Sequence, residues 1–157
     1  MGKALVCYFS AGGTTAKLAK GIADAAGADL FEIRPEKPYT EADLKWTNPF
    51  ARCNREKFGK KKVPVAGTVE GMDGYDVVFL GFPIWYYGAP NIIETFAGQY
   101  GFSGKRIALF ATSGGSDIGK TAGKLQPFLG EGAVIADARV FRDPDPEELR
   151  RWVESIL

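Results

Sequence analysis

The feature that most constrains this sequence is a regular alternation of short apolar runs with segments of helical spacing. The apolar runs are nearly continuous, which is typical of strands buried on both faces of a parallel sheet. Four runs are predicted to be buried strands: Ala4–Phe9, Asp76–Gly81, Arg106–Thr112 and Ala133–Val140. A fifth run, Asp29–Ile33, alternates between apolar and polar residues and is predicted to lie toward an edge. This order of elements predicts an α/β fold with right-handed crossovers.

Helical patterns occupy the segments between and after these strands: Thr15–Ala26, Pro90–Tyr100, Ile118–Leu129 and the segment after Asp145. In the first helix the apolar residues share one face, and Gly27 is predicted to end it. The last helix has the clearest beginning, because Asp145 is a favourable N-cap and Pro146 suits the first turn. Each strand except the second, Asp29–Ile33, is therefore followed by a helical segment that can cover the sheet.

Length and composition indicate one domain over residues 1–157, without membrane spans. The chain has 157 residues, of which 45% are hydrophobic and 25% charged, as in ordinary globular proteins. Its longest apolar runs, such as Val77–Phe82, are far shorter than the ~20 residues that a membrane-spanning helix needs. The exception to the regular pattern is Pro35–Gly74, a polar, proline-rich insertion after the second strand, and long irregular insertions are often functional.

Charge and residue types exclude several classes of function. The chain has no histidine, which removes the commonest general base and every Ser-His-Asp or Cys-His scheme. We therefore predict no catalytic residue and no metal site. A net charge of +1 gives no overall attraction to nucleic acid or to an anionic membrane. Cys7 and Cys53 form no disulfide framework, and Met1-Gly2-Lys3 has no signal-peptide layout, so a cytoplasmic location is expected.

The loop between the first strand and the first helix has the composition of a phosphate-binding loop. It consists of Ser10, Ala11, Gly12, Gly13, Thr14 and Thr15. Two glycines allow a sharp turn that points N–H groups inward, and the following helix adds the positive end of its dipole. The loop contains no lysine or arginine, so backbone dipoles and hydroxyl groups would hold the anion. The alternative is an ordinary turn in which the threonines only cap the helix.

A second loop, directly after the predicted central strand, is rich in aromatic residues. It consists of Pro83, Ile84, Trp85, Tyr86, Tyr87 and Gly88, followed by Ala89 and Pro90. Three adjacent aromatic side chains at the carboxyl end of a buried strand suit the walls of a flat pocket. The alternative is a loop that packs its rings beneath a neighbouring segment.

The third loop begins at Thr112 and is rich in glycine and serine. It includes Ser113, Gly114, Gly115 and Gly119. Gly114–Thr121 also matches the P-loop pattern G-x-x-x-x-G-K-[ST], so a nucleoside triphosphatase is an alternative, with Asp137 as the acidic partner of the metal. Position argues against this alternative, because only one strand and one helix are predicted after Thr121.

Together the three loops resemble those of the flavodoxin family, specifically its short, glycine-rich flavodoxin-like branch. Ser10–Thr15 is similar to the family's S-x-T-G-N-T phosphate signature, with Gly12 in place of the first threonine and Thr14 in place of asparagine. Pro83–Pro90 resembles the loop that stacks on the flavin ring, and Thr112–Gly119 resembles the branch's T-S-G-G-S loop. The insertion also resembles that branch, so the resemblance covers most of the chain.

The resemblance implies a doubly wound five-stranded parallel sheet of order 2-1-3-4-5, with FMN between the first and third strands. It implies that Ser10–Thr15 holds the phosphate and that the isoalloxazine ring lies between Trp85 or Tyr86 and the Thr112–Gly115 backbone. Gly88 would present a backbone carbonyl to the flavin N5 atom.

The resemblance also implies an electron carrier that passes electrons to or from a redox partner, as a monomer or weak homodimer. An alternative is a small FMN-dependent reductase of quinone-like or other diffusible acceptors. Family carriers are usually acidic, so the weakly positive net charge favours this alternative. Lys120 near the predicted ring site also favours it, because a cation there would stabilise the reduced, anionic flavin.

Overall fold

The computed structural model describes residues 3–10, 13–36, 65–84, 89–112 and 121–157, together with Thr40, Leu44, Thr47 and Arg52. The described residues form seven strands: β1 (Lys3–Tyr8), β2 (Asp29–Glu32), β3 (Arg34–Pro35), β4 (Val65–Ala66), β5 (Tyr75–Pro83), β6 (Arg106–Thr112) and β7 (Val134–Phe141). They also form four α-helices: α1 (Thr14–Ala26), α2 (Asn91–Gly98), α3 (Thr121–Leu129) and α4 (Pro146–Ile156). A 3₁₀ turn, Met72–Gly74, leads into β5.

Five of the strands form one parallel sheet in the order β2-β1-β5-β6-β7. Because β3 and β4 lie outside this sheet, the order equals the expected 2-1-3-4-5, and the predicted α/β fold is confirmed. The predicted edge position of the second strand is also confirmed. The short strands β3 and β4 pair with each other in antiparallel fashion, which joins the two ends of the insertion that follows β2.

Helices cover both faces of the sheet. On one face, α1 and α4 pack over a core that contains Val6, Phe79 and Phe110. On the other, α2 and α3 pack over a larger core that contains Phe82 and Ile107. The two faces bury alternate residues of the same strands, as the two-residue period of a strand requires. The nearly continuous apolar runs in the sequence therefore reflect burial on both sides.

Helix α4 is attached to the sheet through Trp152. Its indole ring packs edge-on against Phe79 and Phe141, with ring centres 5.6 and 5.2 Å apart. The indole Nε1–H donates a hydrogen bond of 2.7 Å to a carboxylate oxygen of Asp137. Asp137, the acidic residue that the nucleoside triphosphatase alternative requires, thus already has a structural partner. The predicted N-cap is confirmed, since the Asp145 carboxylate accepts from the Glu148 N–H at 2.8 Å.

The prediction that Ala133–Val140 is a buried strand was wrong about its burial. The corresponding strand, β7, is an edge strand that pairs only with β6, and most of its side chains are exposed or half-buried. Val134 is 59% exposed, whereas Phe141 at the carboxyl end is buried. The apolar composition of the run indicated a strand, but the side chains of an edge strand are covered only where a helix reaches over them. Within the part of the chain that the structure describes, no helix is long and apolar enough to cross a membrane.

Candidate functional site

The candidate site lies at the edge of the sheet where the parallel strands end. The three predicted loops follow β1, β5 and β6, so their first residues all reach this same edge. In the sheet, β2 lies on one side of β1, and β5, the next sheet strand along the chain, lies on the other side of β1. Ligands of doubly wound sheets bind at such a change of direction.

The first loop leads into a helix that has no side-chain cap among the described residues. Gly13 occupies the N-cap position with a left-handed φ of +92°, and its N–H donates a 3.0 Å hydrogen bond to Ser10 Oγ. The first turn of α1 contains no acidic residue. Neither threonine caps the helix with its side chain, so the capping part of the alternative is wrong, and the phosphate role of the loop stays a prediction. Among the described residues, no side-chain cap occupies the N–H groups of this turn, which are the groups that an anion would use.

Thr15 connects the first loop to the third. Its side chain is buried, with 2% of the residue exposed, and its Oγ1 lies 2.7 Å from Oγ1 of Thr112. These residues are 97 positions apart in sequence, so no local pattern indicated the contact. Both were predicted as site residues, and the structure brings them together.

Thr112 also connects the third loop to the second. Its backbone carbonyl accepts a 2.8 Å hydrogen bond from the Ile84 N–H. In the sheet, Thr112 is paired with Pro83, the last residue of β5. One residue at the end of β6 thus contacts the other two predicted loops, through its side chain on one side and through its backbone on the other.

The structure describes the ends of the predicted loops and leaves part of each outside the described residues. Of the predicted site residues, those outside are Ala11, Gly12, Trp85, Tyr86, Tyr87, Gly88, Ser113, Gly114, Gly115 and Gly119. On either side of the second loop, Ile84 is half-buried against the core, and Ala89 and Pro90 are buried. Thr112 and Thr121, on either side of the third loop, are buried as well.

A cavity of about 990 Å³ begins at the first loop and continues between α1 and α4. Gly13, Thr14 and Thr112 contribute to its lining. The remaining lining includes Asp143 and Pro144, which follow β7 and were absent from the predicted site. The sequence could have indicated them, because they follow a predicted strand and the carboxyl ends of all strands in a parallel sheet lie at the same edge. The four charged residues that line the cavity are two cations, Lys17 and Arg150, and two anions, Asp24 and Asp143.

Two titratable groups just before the first loop, the Cys7 thiol and the Tyr8 hydroxyl, favour their neutral forms. Burial raises the pKa of the Cys7 thiol, and burial together with nearby Glu32 raises the pKa of the Tyr8 hydroxyl. A thiol with a raised pKa is a poor nucleophile. Among the residues that the structure describes, no group of three His, Cys, Asp or Glu side chains is placed to hold a metal ion. The feature of this arrangement that suits an anion is the first turn of α1, which has neither a side-chain cap nor an acidic residue.

Comparison with known families identifies the family to which this chain belongs. A family model described as Flavodoxin matches residues 3–156, nearly the whole chain. The chain belongs to the flavodoxin family. Among curated proteins, no sequence matches this flavodoxin-family chain.

Two solved structures are similar to this flavodoxin-family chain over nearly its full length. One, from Bacteroides eggerthii DSM 20697, is described as a candidate flavoprotein; it has 40% identity and a TM-score of 0.92, covering 99% of this chain and 98% of its own. The other, also described as a candidate flavoprotein, is from Bacteroides uniformis ATCC 8492. It has 38% identity and a TM-score of 0.91, with 98% of each chain covered.

A more distant structure, a flavoprotein from Lactobacillus acidophilus NCFM, was solved in complex with FMN. Its identity to this chain is 20% and its TM-score 0.67, with 97% of this chain and 99% of that chain covered. At this identity the likeness establishes the fold that the two chains share.

Proposed function

We propose that this flavodoxin-family protein binds one FMN at the carboxyl edge of its sheet and passes electrons to or from a redox partner. The observation that carries the proposal is the junction at Thr112, where the three loops predicted to hold the cofactor meet beside an uncapped helix. Family membership supports it, as does the FMN complex of a relative with the same fold. A cytoplasmic location is part of the proposal.

The phosphate would be held by Ser10–Thr15. The first turn of α1 has neither a side-chain cap nor an acidic residue, so a dianion there meets no competing acceptor on the helix. A helix N-terminus contributes about 0.3–1 kcal/mol toward an anion, and each hydrogen bond to a charged group contributes about 1.5–3 kcal/mol. Several N–H groups and hydroxyls acting together therefore suffice to bind a phosphate without a lysine or arginine inside the loop.

The ring system would be held by the other two loops. Trp85 or Tyr86 would form one wall, the Thr112–Gly115 backbone the other, and Gly88 would offer its carbonyl near N5. Bound FMN supplies one- or two-electron chemistry, and the protein supplies position and electrostatics. The buried residues on both sides of these loops, Ala89, Pro90 and Thr121 among them, would keep the walls at a fixed separation.

The absence of histidine from the chain fits the carrier, which needs no general base. Cys7 and Tyr8 do not supply one near neutral pH, because the pKa of each is raised above an ordinary value that already keeps it protonated. A carrier needs only a rigid site and access for its partner, which would be a redox protein or a small acceptor. The reductase alternative rests on the weakly positive net charge and on Lys120 as a positive charge beside the ring.

An anaerobic redox titration of the FMN-loaded protein distinguishes the carrier from the reductase. We expect two well-separated one-electron potentials, because a rigid aromatic wall and the Gly88 carbonyl would stabilise the half-reduced protein. The matched variant Lys120→Gln should leave this separation unchanged. A single two-electron step, combined with rapid NAD(P)H-driven reduction of a quinone that Lys120→Gln abolishes, would instead establish the reductase.

A further inference from the structure

The geometry of the Thr15 and Thr112 hydroxyl pair does not decide which of the two hydroxyls donates the hydrogen bond. The oxygens are 2.7 Å apart, and either hydroxyl can be the donor. Each hydroxyl has one proton and two lone pairs, so only one of the two protons lies between the oxygens. Thr15 is 2% exposed and Thr112 9% exposed, so bulk water scarcely competes for either group.

A phosphate at the first loop would remove this freedom. The oxygens of a phosphate dianion accept hydrogen bonds and have no proton to donate. Thr15 must therefore direct its only proton toward the phosphate if it binds it. The hydrogen bond between the threonines can then persist only if Thr112 donates and Thr15 accepts.

We infer that Thr112 is a positioning residue, whose hydroxyl holds the Thr15 proton toward the flavin phosphate. The inference rests on the proposed FMN site and adds a residue that acts on the phosphate through another residue. Donation from Thr112 also polarises the Thr15 hydroxyl, which strengthens its own donation to the anion.

The same residue extends the effect to the other loops. The Thr112 carbonyl accepts from the Ile84 N–H at 2.8 Å, and the third loop begins directly after Thr112. Phosphate binding at the first loop therefore fixes the hydroxyl orientation of Thr112, the residue that begins the third loop and accepts a hydrogen bond from the second. A ligand without a phosphate would leave that orientation free.

The test compares dissociation constants for FMN and riboflavin, measured by quenching of flavin fluorescence, in Thr112→Val and Thr112→Ser. Valine keeps the shape of threonine without the hydroxyl, whereas serine keeps the hydroxyl. We expect Thr112→Val to weaken FMN binding about tenfold and to leave riboflavin binding within about twofold of the parent. Thr112→Ser should behave like the parent. Thr112→Cys, with its weak S–H donor, serves as a second variant if Thr112→Val does not fold.

A double-mutant cycle with Thr15→Val separates positioning from direct contact. If Thr112 acts through Thr15, adding Thr112→Val to Thr15→Val should cause no further loss of FMN affinity. Equal losses for FMN and riboflavin in Thr112→Val, or an undiminished loss in the Thr15→Val background, would overturn the inference. Failure of the proposed function gives a different result, because the parent protein would then bind neither flavin.

Discussion

Replacement of Gly81 by alanine is expected to lower the free energy of unfolding by about 3 kcal/mol, and Gly81→Val by more. Gly81 lies within β5, opposite Tyr8 of β1 and Phe110 of β6. A Cβ atom built at this position overlaps the ring of Phe110, which is itself fully buried. The ring cannot move aside without disturbing the close-packed core on the α1 and α4 face.

The effect should extend to the candidate site. The Gly81 carbonyl accepts a 3.0 Å hydrogen bond from the Phe9 N–H, just before the first loop. Gly81 and Phe110 each stand two residues before the end of their strands, at Pro83 and Thr112. Any shift that relieves the overlap would displace the beginnings of all three loops, so flavin affinity should fall together with stability.

Gly123→Ala is the matched control for this prediction. Gly123 lies inside α3, and a Cβ atom there meets nothing within 4 Å. Alanine should therefore raise the free energy of unfolding by about 0.5–1 kcal/mol, measured by chemical denaturation. Equal effects of the two substitutions would show that the space beside Gly81 does not constrain the sheet.

FMN is expected to bind about 100-fold more tightly than riboflavin, and more tightly than FAD. Riboflavin lacks the phosphate, and FAD offers a bridging diphosphate in place of the terminal dianion that the first loop can surround. Two hydrogen bonds to a charged group, at about 1.5–3 kcal/mol each, already account for a factor of this size. Thr15→Ala should reduce FMN affinity by about 1–2 kcal/mol, because it removes a hydroxyl from the phosphate site.

Ser155→Ala is a suitable control for Thr15→Ala. The Ser155 hydroxyl donates to the Trp152 carbonyl near the end of α4. The α4 residues that line the cavity beside the first loop are Pro146, Leu149 and Arg150, so Ser155 is not among them. Removing it should leave the affinities of all three flavins unchanged. If isothermal titration gives equal affinities for FMN and riboflavin, the phosphate does not lie on Ser10–Thr15.

Much of the fold follows from local patterns, because two-residue and 3.6-residue periodicities are properties of short segments. The five strands of the parallel sheet were predicted to within about two residues, and the N-cap at Asp145 was predicted correctly, since both depend on neighbouring residues. The short strands β3 and β4 were not predicted. The order of the sheet came from the resemblance to a family. No periodicity in this chain specifies which strands are neighbours.

Hydrogen bonds between residues that are distant in sequence could not be predicted from local patterns. Lys105 is 7% exposed, and its ammonium donates to the carbonyls of Met72 and Tyr75, which attaches the 3₁₀ turn to the chain leading into β6. A lysine in a sequence normally indicates a solvent-exposed position, and only the fold brings those two carbonyls close to Lys105. The Thr15–Thr112 pair is a similar case, because one partner lies in α1 and the other at the end of β6, 97 positions away in sequence.

The central claim, that the three loops form an FMN site, is tested most directly by titrating the flavin-free protein with FMN and, separately, with Mg·ATP. Absorption and fluorescence should show one FMN bound per chain, with the flavin emission quenched by the aromatic loop. Mg·ATP should neither bind nor displace FMN, although Gly114–Thr121 matches the P-loop pattern. Tight binding of ATP with no uptake of flavin would contradict the claim.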